Sequence, residues 1–230
     1  MSDFLSGSAY FGVLISLVSY WLGAVLKKKF KSSLINPLLI SIVLTIPALL
    51  LLHIDYPTYY EGAKYLNWLL TPATVALAVP LYEQFDLLKH NAAAVIAGII
   101  AGVLSSLGTV LGLAVLFGFS HEEYITFLPK SITTAIGMGV SEELGGIVSI
   151  TAGVIIITGV LGNILAELVL KLFRITEPVA KGIALGTSAH AIGTAKAMEL
   201  GEAEGAMSSL SIAVSGIITV AGAAFFANFY

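Results

Sequence analysis

The chain has 230 residues, of which 57% are hydrophobic and 11% charged, and a mean hydropathy of +0.97. A soluble domain carries about 25% charged residues, so this composition excludes an ordinary water-facing surface and points to a chain whose solvent is lipid. The net charge of −3 argues against a nucleic-acid partner, and the lack of cysteine excludes disulfides, thiol catalysis and thiolate metal sites.

Apolar segments fall at 10–26, 34–53, about 60–84, 92–118, 128–146, 147–170, about 177–199 and 206–229. They read as helices, because backbone polar groups in hydrocarbon must pair within their own segment, and they lack the alternating pattern of a membrane β-barrel. No basic leader with a cleavage site precedes the first segment, so it is expected to be retained. Lys27, Lys28, Lys29 and Lys31 follow it and place its end in the cytoplasm, with the N-terminus outside. Asp55 and Glu61 then fall outside, Lys89 and His90 inside, and Glu122 and Glu123 outside. A full crossing at 128–146 would put Lys171, Arg174 and Lys181 outside, against the bias of basic residues. A re-entrant segment there puts them inside, the run Glu199, Glu202, Glu204 outside, and the C-terminus in the cytoplasm. The segment's Ser131, Thr133, Thr134, Gly137, Gly139, Gly145 and Gly146 suit an element buried in protein or lining a cavity. The expectation is a single all-α domain, 1–230, crossing the plasma membrane several times with about seven to eight membrane segments.

This topology aligns 34–118 with 147–229 at an offset of about 116 residues, the best match being Thr71–Glu83 against Thr187–Glu199. Three crossings per unit make the two repeats inverted, a plan of secondary transporters that places substrate near the midplane. The middle segments read as broken at their centres. Thr71 can cap a helix with Pro72 at its first position, and Gly186-Thr187-Ser188 can do the same in the second unit. Two helix starts facing each other at mid-membrane would form an anion site, and a small carboxylate is the natural guest. The plainer alternative is that Pro72 and Pro80 kink a helix and Gly186 lets helices approach closely.

Asn36-Pro-Leu-Leu39, Leu70 to Gln84, Leu128-Pro-Lys-Ser-Ile-Thr-Thr134, Gly145-Gly146, Gly186 to Thr194 and Glu204-Gly-Ala-Met-Ser-Ser209 occur in an order that covers nearly the whole chain. In these stretches the chain resembles the LrgB/CidB family of antiholin-like membrane proteins, which includes the membrane domain of the plastidial glycolate/glycerate transporter. Ala135 departs from the pattern, standing where many relatives have proline. The resemblance implies either transport of a small monocarboxylate such as pyruvate, glycolate or glycerate, or partnership with a small holin-like protein of the LrgA/CidA type in murein hydrolase export and lysis control.

The candidate substrate site comprises Thr71, Pro72, Thr74, Lys130, Ser131, Thr133, Thr134, Thr187, Ser188, His190 and Thr194. Lys130 could meet a carboxylate or snorkel to the interface. The hydroxyls could meet substrate or bond their own helix. His190 could donate a hydrogen bond or carry a proton, or be a packing residue. Lys196 and Tyr82 read as interface anchors, Glu167 as an i,i+4 partner of Lys171, and Asn36 as a helix cap. Tyr56, Tyr59, Tyr60 and Trp68 read as an outer aromatic belt. Gly102, Gly108 and Gly112 could form a close helix-packing face, and a homodimer is expected. His53, His90, His121 and His190 lack metal-site spacing, and no Walker-type loop or nucleophile elbow is present, so neither an enzyme nor a cofactor is expected.

Overall fold

The computed structural model describes residues 10–30 and 35–230; Lys31 and the start of the 34–53 segment lie outside the described residues. The described elements are helices, divided between two compact units, Met1–Ala76 and Leu77–Tyr230. Four helical stretches are long and apolar enough to cross a membrane: Phe11–Phe30, Ala92–Phe117, Val148–Leu172 and Glu202–Phe229. The chain is therefore an α-helical membrane protein with four segments of spanning length among the described residues, and Pro37–Leu51 is a shorter apolar helix.

The first unit holds α1 (Phe11–Phe30), α2 (Pro37–Leu51), α3 (Tyr56–Trp68) and α4 (Leu70–Ala76). Asn36 does cap α2, its Oδ1 accepting from the N–H groups of Leu38 (2.8 Å) and Leu39 (3.1 Å), with Pro37 in the first turn. Asp55 caps α3 in the same way, and its bond to Thr58 holds its carboxyl below the usual range. Aromatic residues of α3 pack on each other, Tyr56 stacked on Tyr60 and Tyr65 edge to face with Trp68.

The helix start expected at Thr71 is not formed. Thr71 and Pro72 lie inside α4, preceded by Leu69 in ordinary helical geometry, and the Ala73 N–H still reaches the Leu69 carbonyl at 3.0 Å. Proline removes one backbone donor and bends the chain without opening a capped terminus. The 60–84 segment is thus a series of short helices, continuing in the second unit with α5 (Ala78–Glu83) and α6 (Phe85–His90).

In the second unit α7 (Ala92–Phe117) is followed by α8 (His121–Phe127), α9 (Thr134–Leu144), α10 (Val148–Leu172), α11 (Pro178–Leu200) and α12 (Glu202–Phe226). On α7 the buried residues Val95, Ile99, Val103, Leu107, Val110 and Ala114 form one stripe at helical spacing. Ile96, Leu104, Val115 and Leu116 are apolar and exposed, as on a helix surrounded by lipid. Helix α12 runs parallel to α7. Val95 and Ile99 cluster with Ala206 and Met207 at one end, while the Tyr124 hydroxyl just beyond α7 donates to the Phe226 carbonyl (2.9 Å) at the other. Inversion of the two expected repeats calls for opposite directions here; the helices run the same way.

Contacts along α11 show why. Its first leg, 178–188, lies against α12, with Gly182 against the Glu204 carbonyl and Gly186 against that of Ser208. At Ala189 (φ −131°, ψ 17°) and His190 (φ 42°, ψ −136°) the backbone leaves the helix. The second leg then returns along α10: the Asn163 amide donates to the Ile192 carbonyl (3.0 Å), and Lys196 Nζ reaches Glu167 Oε1 (2.7 Å). Gly193 comes directly under the Leu185 carbonyl, where any Cβ would collide. The expected crossing at 177–199 is corrected by these contacts: α11 is a helical hairpin, and Glu199, Glu202 and Glu204 share an end of the unit with Lys171 and Lys181. Each leg rises about 16 Å, roughly half of the ~30 Å hydrocarbon thickness.

Residues 118–147 form a second hairpin at the opposite end of the unit. Gly118 (φ 64°) ends α7 in the left-handed conformation, and Ser120 with Glu123 forms a reciprocal cap on α8. The last residue of this segment is tied back to α8 at Thr126, whose Oγ1 accepts from the Ile147 N–H (2.8 Å). Thr151 Oγ1 on α10 lies 2.9 Å from the Thr126 carbonyl and 2.7 Å from Ser141 Oγ on α9. One buried cluster of hydroxyls thereby clips α8, α9 and α10 together.

Candidate functional site

The turn of the 118–147 hairpin and the tip of α11 meet beside the middle of α7. A cavity of about 260 Å³ lies between them, lined by Gly102, Ser105, Ser106 and Thr109 of α7, Lys130 and Ser131 of the turn, and Thr187 and Ser188 of α11. Gly102 is needed for this approach, because a Cβ there would lie 2.7 Å from Thr187 Oγ1. The turn is bent by Pro129 and held by the Lys130 N–H to the Phe127 carbonyl (3.1 Å).

Lys130 brings the cavity's positive charge. Its Nζ donates to Ser131 Oγ (2.9 Å), which is also 2.9 Å from Ser106 Oγ. Among the described residues no carboxylate lies within ion-pair distance of Lys130. An ammonium has three donors, so two remain for a guest. Thr187 and Ser188 hydroxyls donate to the carbonyls of Ile183 (2.8 Å) and Ala184 (2.6 Å) on their own helix, the bonding that anchors the end of a leg and leaves only lone pairs toward the cavity. They therefore do not cap a helix start: the break lies two residues later, at Ala189–His190.

The remaining expected site residues fall elsewhere. His190 is buried, with Nε2 donating to the Ile155 carbonyl (2.9 Å), and its ring fills the space above Gly159, where a Cβ would lie 2.6 Å away. Its left-handed φ is uncommon for a residue with a side chain and costs of the order of 1 kcal/mol. Thr194 bonds the His190 carbonyl (3.1 Å) and Ser208 Oγ (2.7 Å), sealing the tip from behind. Thr133 caps α9 through its backbone without a side-chain bond, and neither it nor Thr134 lines the cavity. Thr71 and Pro72 belong to α4 of the first unit; the Thr74 side chain lies outside the described residues.

One side chain expected at the interface has another role, and one expected pair gains a stronger partner. Lys196 is not an interface anchor: it is buried and pairs with Glu167 (2.7 Å) and Glu199 (3.2 Å). The expected Glu167–Lys171 pair exists at 3.8 Å and is the weaker partnership. Of the glycines read as a close helix-packing face, Gly102 lines the cavity against Thr187, while a Cβ at Gly108 or Gly112 would meet no atom within 4 Å. Sequence reading missed Ser105, Ser106 and Thr109, although 102, 105, 106 and 109 form a small, hydroxyl-rich stripe at helical spacing on an otherwise apolar helix. Among the described residues no three His, Asp or Glu side chains group as metal ligands.

The LrgB-like family model matches residues 16–229. The chain belongs to the LrgB-like family. Relatives called "Antiholin-like protein LrgB" from Bacillus mycoides (strain KBAB4), Bacillus cereus (strain B4264) and Bacillus anthracis (strain CDC 684 / NRRL 3495) are each 39% identical over 212 residues, 92% of this chain and 92% of theirs. No solved structure matches this LrgB-like chain.

Proposed function

We propose that this chain acts as an antiholin-like membrane protein, restraining a small holin-like membrane partner and thereby the export of murein hydrolases. The likeness to proteins of that name along 92% of both chains is the observation that carries the reading. The test is reconstitution: liposomes containing a small holin-like protein should release trapped dye more slowly when this chain is present. An unchanged release rate at equimolar protein would sink the proposal.

The cavity favours a second reading, in which the chain carries a small monocarboxylate. Lys130 faces a pocket of about 260 Å³ with hydroxyls on three sides and no carboxylate partner of its own. One carboxylate would complete that arrangement, taking charge-assisted bonds from the ammonium. Two hairpins that enter from opposite faces and meet at depth would allow access to alternate as one moves against the other. Proteoliposomes should then take up a labelled two- or three-carbon acid saturably, and Lys130→Met should abolish uptake while leaving the folded protein monodisperse. Equal uptake by wild type and Lys130→Met would refute this reading.

A further inference from the structure

A second cavity, of about 590 Å³, opens at the foot of the α11 hairpin. It is lined by Glu167, Leu170 and Lys171 at the end of α10, Arg174, Ile175 and Thr176 beyond it, Lys181 on the first leg and Leu200 at the end of the second. We propose that this cavity binds the headgroup of an anionic phospholipid.

Three observations carry the proposal. The cavity sits where a membrane-length helix ends, the level at which headgroups lie, and the neighbouring Leu172 and Phe173 are 71% and 69% exposed. Its charged lining holds three cations, Lys171, Arg174 and Lys181, against one acid, Glu167, which is engaged by Lys196 (2.7 Å) and Lys171 (3.8 Å), while Lys181 reaches Glu204 (3.6 Å). Arg174 has no carboxylate within ion-pair distance among the described residues, so its planar fork is left for a phosphate.

Arg174 is also held in place. It occupies the left-handed position after α10 (φ 54°), where the Ile175 N–H closes on the Leu170 carbonyl at 2.8 Å. This helix-ending turn fixes the point from which the guanidinium reaches. Leu170, Ile175 and Leu200 give the cavity apolar walls, which favour a lipid over free phosphate because acyl chains and glycerol carbons can cover them. Basic pockets between membrane helices are a recognised setting for anionic headgroups. A lipid seated there touches both legs of the hairpin and the end of α10.

The test uses the full chain in neutral detergent, with bound lipid counted by native mass spectrometry during titration with phosphatidylglycerol or phosphatidylcholine. Phosphatidylglycerol should bind at one site at least about tenfold more tightly. Arg174→Gln with Lys171→Gln should remove that preference, Arg174→Lys should weaken it in part, and Lys28→Gln with Lys29→Gln should leave it intact. An unchanged preference in the Arg174/Lys171 variant overturns the proposal. So does competition by free glycerol 3-phosphate as effective as that of the lipid, which would assign the site to a soluble phosphate.

Discussion

The two hairpins of the second unit reach similar depths by different chemistry. The 118–147 hairpin is fastened by hydroxyls: Thr126, Ser141 and Thr151 satisfy one another where α8, α9 and α10 meet. The α11 hairpin is fastened by missing side chains. Gly182, Gly186 and Gly193 let its legs approach carbonyls directly, and Gly159 makes room for the His190 ring. In lipid no hydrophobic force drives helices together, so close contact and internal hydrogen bonds must do it. The first hairpin relies on a cluster of hydroxyl bonds; the second adds close contact at glycine to its own bonds, from Asn163 to the Ile192 carbonyl and from His190 to that of Ile155.

That contrast can be broken at its strongest point first. Gly159→Val should be the most damaging substitution, because its new atoms would occupy the His190 ring position. A loss of about 3 kcal/mol is expected, read as a lower midpoint of unfolding in detergent and a poor yield of monodisperse protein. Gly108→Val, at a helix position with no neighbouring atom, should leave both unchanged. If the two behave alike, contact does not hold the second hairpin. Next comes the ion pair at its foot. Lys196→Met should cost about 1 kcal/mol, since Glu167 and Glu199 lose their shared cation while Glu167 keeps Lys171; the same unfolding assay reads it, and no loss would make the pair incidental.

Thr151→Val probes the other hairpin. It removes one hydroxyl and leaves Ser141 and the Thr126 carbonyl short of a partner, a loss of about 1–2 kcal/mol, checked by faster hydrogen exchange at Ile147 and Val148. The smallest effect concerns pH. The backbone N–H of Ser120, with its hydroxyl, holds the Glu123 carboxyl below its ordinary range. Its contribution is therefore fully present above the unfolded carboxylate value, about 4.3, and fades as pH falls through the lower folded value. Glu123→Gln should flatten the acid limb of stability around α8, measured as protection from proteolysis between Gly118 and Tyr124.

Much of the architecture was legible in residues whose meaning is local. Asn36-Pro37 announced a capped helix and formed one. The small and hydroxyl residues around Lys130 announced an element buried in protein, and the 118–147 hairpin brings Lys130 and Ser131 to a cavity with Thr187 and Ser188. What could not be read was long-range direction. A 23-residue helical pattern at 178–200 looks the same whether it crosses or folds back, since glycine permits close packing in both cases and the reversal depends on the contacts of Gly193 and His190. Pro72 suggested a broken helix because proline both starts and bends helices, and only the Leu69 backbone distinguishes the two. Lys196 was misplaced because its partner Glu167 stands 29 positions away in the chain.

The parallel course of α7 and α12 has a consequence for labelling. Both begin at the end of the unit where α10 finishes, so epitopes placed at Asn91, Thr176 and Gly201 should be reached by the same membrane-impermeant reagent. Epitopes at Gly118 and Gly145 should react only when the opposite face of the bilayer is open to it.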